Sequence, residues 1–327
     1  MTTIVSPISK TESVQDAVAQ AVLQGLTATP KRLPPWLFYD DAGSLLFDRI
    51  TELPEYYLTR TERGILARHS DGMIRQAAEG RRLRVTELGA GSADKTRLLL
   101  ASAVALQGTV VYEPVDVSPS ALNSAKDRIE REIAGVLVAP RVMDYMQGLQ
   151  LEPAEAGERR LVLYIGSSIG NFDPHEAELL LERVRCGLSP GDGLLLGVDL
   201  AKDESTLVAA YDDAAGVTAD FNLNLLARLN RELGADFNLS KFAHRAVWNP
   251  AKSRMEMHLE SRVKQRVRLA APDLEVEFAA GETIHTENSY KYLPGQAEAR
   301  LLAAGFQPVQ TWTDPLEWFA VCLARAI

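Results

Sequence analysis

The residues best placed to do chemistry form three small groups, each at the end of an apolar run. Gly89-Ala90-Gly91 closes Leu83–Leu88, Asp116 closes Thr109–Val115, and Asp144-Tyr145 follows Val136–Val142. Glycines at such a point let the backbone turn tightly and approach a nucleotide with no Cβ in the way. A carboxylate after the second run can accept hydrogen bonds from both hydroxyls of a ribose. An acid followed by an aromatic ring after the third suits the exocyclic amine and the face of an adenine. Either acid alone could equally cap the helix after it; the ordered set of three describes a site for an adenosine-containing ligand. A dinucleotide fingerprint would need a third glycine where Asp94 stands, which turns the reading away from NAD.

Other chemistries find less support. The five histidines, at 69, 175, 244, 258 and 285, show no ligand spacing with one another or with cysteine, so no metal is expected. Gly166-Ser167-Ser168-Ile169-Gly170 does not fit the strand-to-helix elbow of a serine hydrolase. With 35 basic against 44 acidic residues the net charge is −9, and no long Lys/Arg run offers a phosphate track, which argues against nucleic acid as a partner. Cys186 and Cys322 lie far apart, as expected of a protein in a reducing cytoplasm. Met1–Lys10 lacks the basic start and apolar block of a signal peptide, and the apolar runs are of strand rather than membrane length.

Short apolar runs alternating with helical stretches predict a parallel sheet wrapped by helices, an α/β fold. After the three strands above come Arg160–Ile165, ending in Gly166-Ser167-Ser168, and Gly193–Leu200; helices are predicted over Lys95–Ala105 and Ser118–Ile133. The far C-terminus supplies a helix, Gln296–Gly305, and a closing antiparallel hairpin, Phe306–Thr311 with Glu317–Ala324. Between these, residues 201–291 break the alternation. One helix over Ser205–Glu232 precedes period-two runs at Ala246–Trp248, Arg254–Ser261, Lys264–Leu269 and Leu274–Phe278. Ahead of the sheet, helices are expected over residues 11–25, Asp40–Leu53 and Thr59–Ala78, the last capped by Thr59 or Thr61. The organisation that follows is an N-terminal arm (1–60) belonging to a substrate domain, a core (61–200), an inserted α+β substrate-binding domain (201–291) and a C-terminal completion of the core (292–327).

The glycine turn, ribose acid and adenine acid, with the reversed hairpin, resemble the class I (Rossmann-like) S-adenosylmethionine methyltransferase fold with its seven-stranded sheet. Longer strings resemble a narrower family, the histidine-specific Nα-methyltransferases of ergothioneine biosynthesis. These are Phe38-Tyr39-Asp40 with Gly43-Ser44 and Phe47, Leu53-Pro54-Glu55-Tyr56-Tyr57 with Thr59-Arg60, Glu87-Leu88-Gly89, and Gly166-Ser167 with Ile169-Gly170-Asn171. Tyr211-Asp212-Asp213-Ala214-Ala215-Gly216-Val217-Thr218 and Thr286-Glu287 with Ser289 and Lys291 complete the set, which spans nearly the whole chain. The chain departs from the commoner pattern at Trp36-Leu37, where Lys-Trp is more frequent, and at Tyr145, where phenylalanine is frequent.

The resemblance implies Nα-trimethylation of free L-histidine to hercynine, the first step toward ergothioneine, using S-adenosylmethionine and no metal; a monomer is expected. It implies that Gly89, Lys95, Asp116, Asp144 and Tyr145 contact the methyl donor. It further implies that Tyr56, Asn171, Tyr211, Met257, Glu287 and Ser289 hold histidine, with Tyr39 and the Gly166 carbonyl near the amine. Tyr39, Asn171 and Tyr211 are the candidate catalytic groups. Read from residue type alone, Tyr56, Tyr211 and Met257 could equally be core, Asn171 a helix cap and Glu287 a solvated strand carboxylate. A methyltransferase for another amino acid or small amine, or a non-catalytic sensor of an adenosine ligand, are the rival readings.

Overall fold

A computed structural model of the chain describes residues 14–90, 93–117, 119–149, 151, 154, 155 and 157–327. Gly91 of the glycine turn, Ser118 and the predicted helical residues 11–13 lie outside the described residues, as does Met1–Lys10. In chain order the helices are α1 (Val14–Thr27), α2 (Asp41–Glu52), α3 (Tyr57–Ala78), α4 (Thr96–Gln107), α5 (Pro119–Glu132), α6 (Pro174–Cys186), α7 (Glu204–Tyr211), α8 (Val217–Leu233) and α9 (Gln296–Ala303). The strands are β1 (Arg82–Leu88), β2 (Val110–Asp116), β3 (Val136–Val138), β4 (Arg141–Val142), β5 (Glu158–Tyr164), β6 (Gly193–Asp199), β7 (Phe242–Asn249), β8 (Arg254–Ser261), β9 (Gln265–Leu269), β10 (Leu274–Phe278), β11 (Thr283–Tyr290), β12 (Phe306–Thr313) and β13 (Phe319–Ala326). Contacts divide the chain into two compact units, Met1–Tyr57 with Lys202–Tyr290, and Leu58–Ala201 with Lys291–Ile327.

The second unit is a sheet of order β12-β13-β6-β5-β1-β2-β3, with β4 also on β2. Pairings among β1, β2, β3, β4, β5 and β6 are parallel, and β13 alone runs against its neighbours β6 and β12. The sheet is α/β with the class I methyltransferase topology. Strand β6 is buried at every position because helices cover both faces, whereas β1 and β2 also bury the polar side chains Thr86, Glu87 and Glu113. One face packs under α3, α4 and α5 through Leu66, Met73, Leu99, Leu100 and Ile129; the other packs under α6 and α9 through Leu180, Leu181, Val184 and Leu301.

Several boundaries differ from the sequence reading for identifiable reasons. The expected third strand is two short pieces interrupted at Ala139-Pro140, since proline has no N–H for the ladder. The last strand starts at Phe319 because the Asp314 carboxylate first gathers the N–H groups of Leu316, Trp318 and Phe319, at 2.9, 2.7 and 2.9 Å. Neither Thr59 nor Thr61 caps a helix, because α3 already begins at Tyr57.

The first unit joins α1, α2, α7 and α8 to a three-stranded antiparallel sheet, β11-β8-β7, and a β9–β10 hairpin. The single helix expected over Ser205–Glu232 is broken between Tyr211 and Val217, and β11 is a strand that period-two reading did not register.

Candidate active site

In the sheet unit, Gly166, Gly89, Asp116 and Asp144 stand at or just beyond the carboxyl ends of β5, β1, β2 and β4, strands that lie side by side. The chain leaves β1 toward β2 on one side and reaches β5 on the other, so these ends flank the point where strand order reverses, the usual ligand crevice of an open α/β sheet. Gly89 turns with φ +65°, its N–H bonded to the Val115 carbonyl at 2.9 Å. A Cβ there would lie an ordinary 3.6 Å from the Tyr145 hydroxyl, so it is the dihedral rather than space that favours glycine. Asp144 does cap the short helical turn Tyr145–Gln147, accepting from the Met146 N–H at 2.9 Å through one oxygen. The Tyr145 ring meets Tyr164 edge-on at 5.9 Å. On these adjacent strand ends, the two carboxylates can accept hydrogen bonds from hydroxyl or amine groups, and the aromatic ring stands beside them.

Behind this edge sits a buried acidic pair. Glu62, fully buried on α3, is ion-paired with the Lys95 ammonium and accepts the Gly166 N–H at 2.9 Å. Glu87, just before the glycine turn, is buried and accepts hydrogen bonds from the Thr96 hydroxyl at 2.5 Å and from Tyr112. Burial pushes its carboxyl up to about 7, against the pull of the Thr96 and Tyr112 hydroxyls and of Lys95. Ser167 adopts a left-handed φ of +61° and its hydroxyl accepts the Asp199 N–H at 2.8 Å. Asn171 ends the helical turn Ser168–Asn171 and is half-buried; α6 is capped instead by Asp173, in a reciprocal box with Glu176. Asn171 is therefore not a helix cap.

The other unit organises the remaining residues around Tyr211, the last residue of α7. Its buried hydroxyl donates to Ser289 Oγ at 2.7 Å. Its carbonyl is met by His244 Nε2 at 2.8 Å, so Nε2 carries the proton and Nδ1 accepts from the Asn222 amide at 2.8 Å. Burial pushes the His244 imidazole down, consistent with that neutral form. The Tyr211–Thr218 string breaks the helix because Asp213 folds back to accept the N–H groups of Val217 and Thr218, at 2.9 and 2.7 Å, and Gly216 turns with φ +72°.

Strand β11 carries a bulge. His285 pairs with His258, but the next pair is Glu287 with Met257, leaving Thr286 as an extra residue whose hydroxyl donates to the Met257 carbonyl at 3.0 Å. An extra residue shifts the alternation by one, so Glu287 and Ser289 share the sheet face of their partners Met257 and Met255, the face that buries both methionines. Without the bulge Glu287 would point the other way. Met257 is core, 3% exposed, and at the same time the cross-strand neighbour of Glu287.

Tyr39 and Tyr56 enter through ring contacts. Phe47 meets Tyr39 at 5.8 Å and Tyr56 at 6.2 Å, and Tyr56 meets Tyr211 at 6.5 Å, all near edge-on. Tyr39, at 46% exposed, is the outermost of them. Gly43 allows α2 to start there, since a Cβ would fall 1.8 Å from the Phe38 carbonyl oxygen; Asp40 caps that helix through the Gly43 N–H. Phe47 and Glu62 are the participants the sequence reading did not single out. Phe47 lies within one of the family strings, whereas Glu62 gave no signal apart from its place one residue beyond Thr59-Arg60-Thr61. Among the described residues, no group of three or more His, Cys, Asp or Glu side chains could hold a metal ion, and no helix is long and apolar enough to cross a membrane.

Comparison with known proteins agrees with this geometry. A family model described as histidine-specific methyltransferase, SAM-dependent, matches residues 18–326. A histidine N-alpha-methyltransferase of Mycolicibacterium smegmatis is 46% identical over 313 residues, covering 96% of each chain. Its namesake from Mycobacterium tuberculosis is 45% identical over 94% of each chain. Ergothioneine biosynthesis protein 1 of Neurospora crassa is 28% identical over 91% of this chain and 33% of its own length. A family model matching almost end to end and relatives 45–46% identical over nearly the whole chain lead to one conclusion: the chain is a methyltransferase enzyme belonging to the S-adenosylmethionine-dependent, histidine-specific methyltransferase family.

Proposed function

We propose that the protein transfers methyl groups from S-adenosylmethionine to the α-amine of free L-histidine, three times in succession, giving hercynine and so opening ergothioneine biosynthesis. The observation that carries this reading is the bulge at Thr286, which turns Glu287 and Ser289 onto the face of Met257 and brings Ser289 to the Tyr211 hydroxyl. A carboxylate and a hydroxyl beside an adaptable apolar side chain suit an imidazole, one ring N–H of which can donate to Glu287. The names of the mycobacterial relatives support the same substrate.

In this reading Gly89, Lys95, Asp116, Asp144 and Tyr145 hold the donor. S-adenosylmethionine, when bound, supplies a methyl already activated by its sulfonium, so the protein's task is to position a neutral amine and exclude water. Tyr56, Met257, Glu287 and Ser289 hold the ring. Asn171, the Gly166 carbonyl and the Tyr211 hydroxyl orient the carboxylate and amine; the Tyr211 hydroxyl donates to Ser289, and a phenolic oxygen that donates its own proton can still accept an N–H. Tyr39, the most exposed ring of the aromatic group, would relay a proton outward through its hydroxyl. Each amine must lose a proton before transfer, and chemistry stops at the quaternary product because no lone pair remains.

Incubating the purified protein with S-adenosylmethionine and a panel of free amino acids, followed by mass spectrometry, tests the proposal. The expected result is trimethylated histidine as the dominant product. Preferential methylation of another amine, or no transfer at all, would overturn it.

A further inference from the structure

We infer that Glu62, on α3, is a positioning residue for the methyl donor, acting through the Lys95 ammonium and the Gly166 N–H. The proposal rests on the reading of Lys95 as a donor-binding residue. Glu62 has no exposed surface, yet it carries a carboxylate, and an ionised carboxylate is costly to bury without partners. Its partners come from two different ligand-edge loops. One oxygen is paired with Lys95, at the start of the helix that follows β1; both accept the Gly166 N–H after β5, at 2.9 and 3.0 Å.

The surrounding backbone is shaped around this arrangement. A Cβ on Gly197, in the middle of fully buried β6, would lie 2.3 Å from the nearer Glu62 oxygen, and one on Gly166 would lie 3.2 Å from the Lys95 ammonium. Gly166 also holds φ +86°, a conformation other residues rarely adopt. Glycine at both places leaves room for a carboxylate that bridges the loops. A lysine has four rotatable bonds and no fixed direction of its own, so an immobile buried counter-charge decides where its ammonium points. Tying the same carboxylate to the Gly166 N–H links that direction to the loop that carries Ser167 and Asn171.

The test is a double-substitution cycle read by calorimetric affinity for S-adenosylhomocysteine, with histidine affinity and melting temperature measured alongside. Glu62→Gln keeps the size and an acceptor for the Gly166 N–H but removes the charge that aims Lys95. It should weaken the nucleoside ligand about tenfold or more, the size of a hydrogen bond to a charged group. In a Lys95→Met background the same change should have almost no further effect, and Glu62→Asp should recover part of the lost affinity. If Lys95→Met leaves affinity unchanged, both the donor-site reading and this inference fall. If Lys95→Met weakens binding while Glu62→Gln does not, or if the two effects simply add, the positioning role of Glu62 falls and the donor site stands.

Discussion

Replacing Glu87 with glutamine should make the protein more stable at neutral pH and remove a pH dependence from its unfolding. The carboxyl is buried in the sheet, with hydroxyl donors from Thr96 and Tyr112, and its folded value of about 7 lies above the ordinary 4.5. For an acid raised on folding, the native state binds the extra proton between those two values. The unfolded chain therefore holds fewer protons there, and stability falls as pH rises from about 4.5 to about 7. At 1.36 kcal/mol per unit, the full loss is about 3 kcal/mol, most of it between pH 5 and 7. Glutamine retains the shape and can still meet both hydroxyls, each of which can rotate to donate or accept. Urea unfolding of both proteins at several values between pH 5 and 8 measures the effect. The gap between variant and parent should widen with pH by about that amount. Parallel curves would refute the reasoning, because they would mean that Glu87 carries the same charge in both states throughout the window.

Four further outcomes follow from particular contacts. Asp213→Ala removes the acceptor for the Val217 and Thr218 N–H groups and should cost ~1–2 kcal/mol, read as a lower melting temperature, together with weaker histidine binding as Tyr211 loses its support; an unchanged melt would rule out the cap. Gly43→Ala places a methyl 1.8 Å from the Phe38 carbonyl oxygen and should lower thermal stability sharply, measured by calorimetry against the neighbouring exposed control Ser44→Ala, which should be nearly silent. Glu287→Ala should cost histidine ~1.5–3 kcal/mol of binding without altering donor affinity, and unaltered histidine kinetics would remove the residue from the ring site. Asp116→Ala should weaken S-adenosylmethionine in a titration, and an affinity equal to the parent's would remove its ribose role.

Much of the architecture was readable from local pattern. Most of the sheet strands show as short runs rich in apolar residues and closed by glycine or acid, because a parallel strand covered on both faces buries both rows of its side chains. Arg254–Ser261 and Leu274–Phe278 were legible to the residue because each buries alternate side chains on one face. The same rule hid β11: the bulge at Thr286 places two successive residues opposite Met257, so the alternation that announces a strand is broken at the point that matters most. The break between α7 and α8 was equally opaque, since Asp213 reads as an ordinary helical surface residue until its carboxylate is seen capping the next helix.

The sequence by itself determined which residue types close each strand, the reversed final hairpin, and, through its long shared strings, the family to which the chain belongs. Those properties are encoded over a few neighbouring residues or in strings preserved whole. Only the tertiary structure decided that Glu287 faces Met257, that Tyr211 gives its proton to Ser289, and that a buried Glu62 ties Lys95 to Gly166. These contacts join positions 30 to 104 residues apart in the chain. No local periodicity reports them, because they exist only once the pleat, the bulge and the helix packing have set the direction of each side chain.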